Sequence, residues 1–159
     1  SVELIEALAA TGNFKIRVGA YPDPHPDATD DSADIVWLKE KFKAGADSAI
    51  TQFFFDADTF FRFRDRCAKE GITGKIIPGI LPITSWTGVQ KFAAACGTPL
   101  PAHYAKAFET AEDQRAASVD LCTKLCETLI QDGVEDLHFY TLNRPTLTKA
   151  VCANLGVTG

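Results

Sequence analysis

The sequence predicts an α/β fold of the (β/α)8 TIM-barrel type, of which this chain supplies four βα units, roughly half a barrel. Three observations point there. Four apolar, β-rich runs are each followed by a segment of helical periodicity, an alternation that implies parallel strands joined by right-handed crossovers. Each run ends in a polar cluster (Tyr21/His25, Gln52, Thr84/Ser85 and Thr141/Arg144), which is how a barrel loads its strand ends, whereas an open sheet gathers ligand groups at one switch point. No GxGxxG fingerprint is present, which weakens the dinucleotide-binding open sheet further.

Taken in order, the chain begins in what reads as a helix, Val2 to Ala9, stopped at Thr11-Gly12-Asn13. Phe14 to Ala20 reads as a strand. The segment Ala20-Tyr-Pro-Asp-Pro-His-Pro-Asp-Ala28 then carries three prolines, which fix the backbone and remove donors, so it is expected to form a rigid polar loop at the strand exit. Such loops commonly carry ligand-binding groups. A helix from about Ser32 to Ala44 follows, with Ile35, Leu38 and Phe42 at helical spacing and Gly45 at its end.

Ser48 to Phe55 is nearly continuous in apolar character, as a parallel strand covered on both faces should be. Asp56 is placed to cap a helix from Ala57 to about Glu70 whose Phe60, Phe63 and Cys67 share a face. Lys75 to Leu81 reads as the third strand, leading to a helix near Trp86 to Cys96. A Pro-containing elbow, a short helix around Ala102 to Phe108 and a long helix from about Glu112 to Gln131 come next, the last with Leu121, Leu125 and Leu129 on one stripe. Val134 to Leu142 is the fourth predicted strand. Pro145 suits the first turn of a final helix running to about Asn154.

Composition narrows the function. With 46% hydrophobic residues in 159, the chain is globular and fits one domain or part of a larger one. A net charge of −5 without any basic run argues against a nucleic-acid or anionic-membrane surface. Apolar runs such as Ile76 to Ile83 fall far short of the ~20 residues that span a bilayer. The five cysteines form no CxxC pair, and Cys122 and Cys126 share a helix face with Leu129, a packing arrangement; a reducing, cytoplasmic setting is expected.

Several polar positions are candidates for ligand chemistry. At ~100° per residue, Asp34, Trp37 and Lys41 lie along one helix edge beside the core stripe. A carboxylate, an aromatic and an ammonium so aligned can read ribose hydroxyls, a flat base and a phosphate; an ordinary amphipathic helix with solvated charges is the alternative. His25, between two prolines, is either a stacking or donor group or an exposed loop residue. Tyr21 is either a core-edge aromatic or a ring whose hydroxyl meets a ligand. Gln52 interrupts an apolar strand and shares a face with Ile50 and Phe54, so its amide is expected to be buried and to need partners, from a ligand or a neighbouring strand. Arg144, between a strand end and a Pro-initiated helix, can clamp a carboxylate or phosphate or form a surface ion pair. Trp86, Phe92 and Phe108 read as helix aromatics, packed in the core or, as the alternative, offered as a ligand platform. No Ser-His-Asp set, phosphate loop or HExxH appears, and His25, His103 and His138 are too scattered for a metal site. Binding groups without a proton donor fit a cofactor that carries the hard chemistry.

Gly19-Ala-Tyr-Pro-Asp-Pro-His-Pro-Asp-Ala28, Ile50-Thr-Gln-Phe-Phe-Phe-Asp56, Phe61-Arg-Phe-Arg-Asp-Arg-Cys67, Ile77-Pro-Gly-Ile-Leu-Pro82 and His138-Phe-Tyr-Thr-Leu-Asn-Arg144, in one register across essentially the whole chain, resemble the methylenetetrahydrofolate reductase family. The resemblance implies a βα-barrel holding FAD at its strand ends. It implies hydride transfer from NADH or NADPH through the flavin to 5,10-methylenetetrahydrofolate, giving 5-methyltetrahydrofolate. By motif matching, Tyr21, His25, Ala28, Asp34, Trp37 and Lys41 fall at FAD-contacting positions. Gln52 and Arg144 match folate-binding positions, and Phe92 matches the aromatic that stacks on the substrate. There are departures: Trp37 stands where relatives carry a polar residue, Glu40 where some bacterial members carry arginine, and Gly88 where some use a glutamine.

The same resemblance makes residues 1–159 the C-terminal half of the barrel, about its last four βα units, and places the family's glutamate acid and flavin-facing aspartate in the first half, so no catalytic residue is assigned in this chain. The lack of methionine and the opening at Ser1 within a helix pattern lead to the expectation of an excised or truncated piece. Such a piece is expected to lack turnover, and to associate with the missing half or with a second copy, since half a barrel leaves two parallel edges. The alternative is a non-catalytic half-barrel that self-associates and at most binds flavin weakly; a flavin-free aldolase-like barrel is a third reading. The absence of a regulatory extension after Gly159 favours an NADH-type bacterial member.

Overall fold

The computed structural model describes residues 2–23 and 33–157, so His25 and Ala28 lie outside the described residues. Its elements are α1 (Val2–Ala10), β1 (Arg17–Ala20), α2 (Ala33–Lys43), β2 (Ser48–Phe53), α3 (Ala57–Lys69), β3 (Lys75–Ile80), α4 (Trp86–Ala95), α5 (Ala102–Thr110), α6 (Gln114–Gln131), β4 (His138–Phe139) and α7 (Pro145–Asn154). The strands form one sheet in the order β1-β2-β3-β4. Its pairing is parallel where Arg17–Ala20 meets Ser48–Thr51 and where Gly79–Ile80 meets His138–Phe139. Sequential parallel strands with intervening helices are the fold of a partial βα-barrel.

Two of the strands are shorter than their apolar runs suggest. β1 begins at Arg17 because Asp47, one residue before β2, takes the Ile16 N–H on its Oδ2 at 2.7 Å, while the Asp47 N–H donates to the Ile16 carbonyl at 2.9 Å. A side chain thus occupies the place of the next ladder bond, and Phe14 is left exposed. β4 keeps only His138–Phe139. The Val134 N–H, read from sequence as part of that strand, instead donates to the Leu129 carbonyl, next to Gly133 at φ +88. That is the left-handed closure of a helix C-terminus, so the upstream residues cap α6 rather than pair.

The chain forms two compact units: Ser1–Gln52 with Asp58–Pro78, and Phe53–Ala57 with Gly79–Gly159. In the first, Ala20 and Ala49 of the sheet pack with Ile35, Leu38, Phe63 and Cys67 of α2 and α3, all buried. The parallel register puts Val18 beside Ala49 and Gly19 beside Ile50, so alternate residues face the helices. The opposite face carries Gly19, Ile50 and Gln52. Ile50 and Gln52 are only half-buried, which corrects the expectation of a buried Gln52 amide. Alternation lets one face of β2 lie under helices while the other lacks comparable cover; Phe54, fully buried just past the strand end, does not share Gln52's exposure.

In the second unit Phe53, Phe55, Leu81, Ile83, Val89, Ala93, Tyr104 and Phe108 form the core. Trp86 stacks on Phe108 with centroids 5.0 Å apart and planes at 10°. α6 packs on α7, burying Cys122, Cys126, Leu129, Leu147 and Val151, and Asn154 Nδ2 donates to Thr123 Oγ1 at 3.2 Å. The cysteine pair is core packing, as its spacing suggested. All five cysteines are free thiols. Burial pushes the Cys67 thiol up to about 11, and a hydrogen bond with Cys126, followed by burial, raises Cys122. Neither thiol is poised as a nucleophile at neutral pH.

Candidate functional site

The first unit holds one cluster of predicted site residues at the C-terminal end of β1. Asp34 and Lys41 are two turns apart on α2, a spacing that returns them to the same edge. Lys41 Nζ donates to the Gly19 carbonyl at 3.0 Å, which ties the helix to the strand. Burial lowers the Lys41 ammonium below the usual lysine value, and the neighbouring Asp34 carboxylate partly offsets this. A half-buried ammonium with one carbonyl partner keeps donors in reserve, since lysine has three. An oxyanion of a phosphate suits it. Trp37 on the same helix is 60% exposed, with Val36 beside it at 55%. Tyr21, just after β1, is half-buried.

The second unit holds a cleft of about 300 Å³. Its walls come from the segment after β3 (Leu81 to Ser85), from Gly88, Val89 and Phe92 of α4, and from Leu142 and Arg144 after β4. Local sequence explains the geometry. Ser85 Oγ accepts the Gly88 N–H at 3.3 Å and starts α4 at the cleft edge. A Cβ at Gly88 would meet only Ser85, at 3.4 and 3.5 Å, so packing does not demand glycine there and its lack of a side chain leaves the cleft wider.

Phe92 stacks on Phe53 with centroids 5.2 Å apart and planes at 19°, yet stays 41% exposed along the cleft. This departs from the core role that helical spacing suggested and that Phe108 and Trp86 do fill. Arg144, also exposed, contributes the guanidinium, and Leu142, 59% exposed, adds a second apolar wall. An aromatic face, an aliphatic side chain and a cation on one cleft suit a flat ring bearing an anionic group.

The structure therefore brings Asp34 and Lys41 together in one unit, and Phe92 and Arg144 together in the other. Sequence reasoning missed Leu142, because an apolar residue at a strand end reads as the strand's last core position. The only available signal was its place before Asn143 and Arg144-Pro145, a turn-like succession. Among the described residues no group of three His, Cys, Asp or Glu side chains is arranged to hold a metal, and no helix is long and apolar enough to cross a membrane.

A family model described as methylenetetrahydrofolate reductase matches residues 1–156. The 5,10-methylenetetrahydrofolate reductase of Escherichia coli (strain K12) is 42% identical over 159 residues, covering 98% of this chain and 54% of that protein. A rice protein named "Probable methylenetetrahydrofolate reductase (NADH)" is 37% identical over 157 residues, covering 91% of this chain and 26% of its own length. Among solved structures, an uncharacterized Clostridium thermocellum protein, described as binding two copies of 5-methyl-5,6,7,8-tetrahydrofolic acid, aligns with TM-score 0.61 at 17% identity over 93% of this chain and 55% of that one. That likeness is one of fold. The chain spans about half the length of the bacterial relatives it matches.

Proposed function

Since the chain belongs to the methylenetetrahydrofolate reductase family, we propose that it forms part of a flavin-dependent oxidoreductase that reduces 5,10-methylenetetrahydrofolate to 5-methyltetrahydrofolate with NADH. The observation that carries this reading is the placing of Phe92 and Arg144 on one cleft. The open face of Phe92 offers a stacking surface for the aromatic part of a folate, and Arg144 a bidentate partner for its carboxylates. Gln52 of the first unit, half-buried in β2, is a neutral amide able both to donate and to accept, the chemistry that a folate-binding position calls for.

The residues of the first unit fit FAD. Lys41 would hold the pyrophosphate, Asp34 would accept from ribose hydroxyls, and Trp37 and Tyr21 would offer rings; His25 and Ala28 belong to the same proposed set. FAD, when bound, would supply the hydride relay between nicotinamide and folate. The chain's own part is to bind and orient both molecules; no proton donor is assigned to it. NADH rather than NADPH is favoured by the name of the rice relative. We further propose that the chain is the C-terminal half of a cytoplasmic reductase barrel, inactive without a complementary half or a second copy.

The test is NADH oxidation that depends on both FAD and 5,10-methylenetetrahydrofolate in the complete protein, and is lost in the chain alone. Oxidation that needs no FAD, or a complete protein inert toward the folate, contradicts the reading.

A further inference from the structure

Between β4 and α7 the backbone makes an uncommon move. Leu142 has φ +47 and Asn143 φ +60, and the Arg144 N–H donates to the Thr141 carbonyl at 2.8 Å. Two successive left-handed residues closed by an i to i+3 bond are the signature of a type I′ turn, whose central positions favour Asn, Asp and Gly. Asn143 conforms. Leu142 does not: a γ-branched apolar residue in this region is strained.

Among the described residues, burial does little to offset that strain, because Leu142 is 59% exposed. An apolar side chain that is both strained and uncovered contributes little to folding at that site. It does, however, line the cleft together with Arg144. Arg144 is in turn held from both sides, by the turn's hydrogen bond on its own N–H and by Pro145, which restricts the residue before it. The guanidinium thus leaves from a backbone with little freedom.

We infer that the Thr141–Arg144 turn is a strained positioning device, in which Leu142 is retained against the preference of its backbone so that its side chain and that of Arg144 stand ready at the cleft. The ligand class is an anionic aromatic such as a folate, and in this the inference rests on the functional reading above. Strain kept at a binding site in place of fold stability is a recognised trade.

Three proteins separate the effects: wild type, Leu142→Gly and Leu142→Ala. Alanine removes the side chain but keeps the left-handed penalty; glycine removes both. Thermal midpoints and dissociation constants for 5-methyltetrahydrofolate at low and high salt are the readouts. Leu142→Gly is expected to melt about 2–4 °C above Leu142→Ala. Both variants are expected to bind about tenfold more weakly than wild type. In the glycine variant the affinity is also expected to lose part of its salt dependence, because a freed Arg144 makes a poorer ion pair. Equal midpoints for the two variants overturn the strain. Unchanged affinities overturn the positioning role. A wild-type protein that binds no folate is the failure of the functional reading and takes the positioning role with it, whereas the order of the midpoints still decides the strain.

Discussion

The Phe92 ring lies on the Phe53 ring at 5.2 Å, and the two differ sharply in burial, Phe53 being 2% and Phe92 41% exposed. One aromatic pair therefore joins the core to the cleft. Removing the buried member opens a cavity, so Phe53→Ala is expected to destabilise by about 3–5 kcal/mol. Phe92→Ala gives up one stacking contact and little burial, for a loss of about 0.5–1.5 kcal/mol. Urea unfolding of both variants checks this. Equal losses would mean that Phe92 is a core residue after all.

Lys41 gives a pH dependence with a definite sign. Its ammonium titrates below the usual lysine value because it is partly buried, so the unfolded chain holds this proton more tightly than the folded one. Below both pKa values the folded state carries the full penalty. As pH rises through the folded value toward the unfolded one near 10.5, the penalty fades and stability rises. Lys41→Met is expected to remove that rise. Urea midpoints of the two proteins between about pH 8 and about pH 10 provide the comparison, and parallel curves would refute it.

Gly74 is packed so tightly against the Phe42 ring that an added Cβ would overlap it. The ring is partly buried and packs against the core beneath α2, so it must shift to admit a methyl group. Gly74→Ala is therefore expected to destabilise by about 1–3 kcal/mol through overpacking. A double variant Gly74→Ala/Phe42→Leu should recover part of the loss. Additive effects in that cycle would show that the two residues do not press on each other.

Helices were the most legible part of the sequence. The 3.6-residue pattern placed Ile35 and Leu38, and the Pro145 rule placed the start of α7. Strand ends were less so. β1 and β4 are cut short by Asp47 and by the α6 cap, competitors for backbone bonds that apolar content does not reveal. The Gln52 amide was read as buried because its neighbours are apolar, but exposure along β2 depends on what covers each face. Phe92 shows the limit most clearly. Spacing says that it faces something, and the protein fills only one side of it. The left-handed Leu142 is marked only by the Asn143 and Arg144-Pro145 that follow it, since leucine itself rarely adopts that conformation.

The measurement closest to the central claim is a calorimetric titration of 5-methyltetrahydrofolate into wild type and Arg144→Gln. The glutamine keeps polarity and removes the charge and its bidentate fork. Wild-type protein is expected to bind at one site, and Arg144→Gln to bind about tenfold or more weakly with no change in thermal midpoint. Binding of equal strength in both proteins would contradict the assignment of the cleft to the folate.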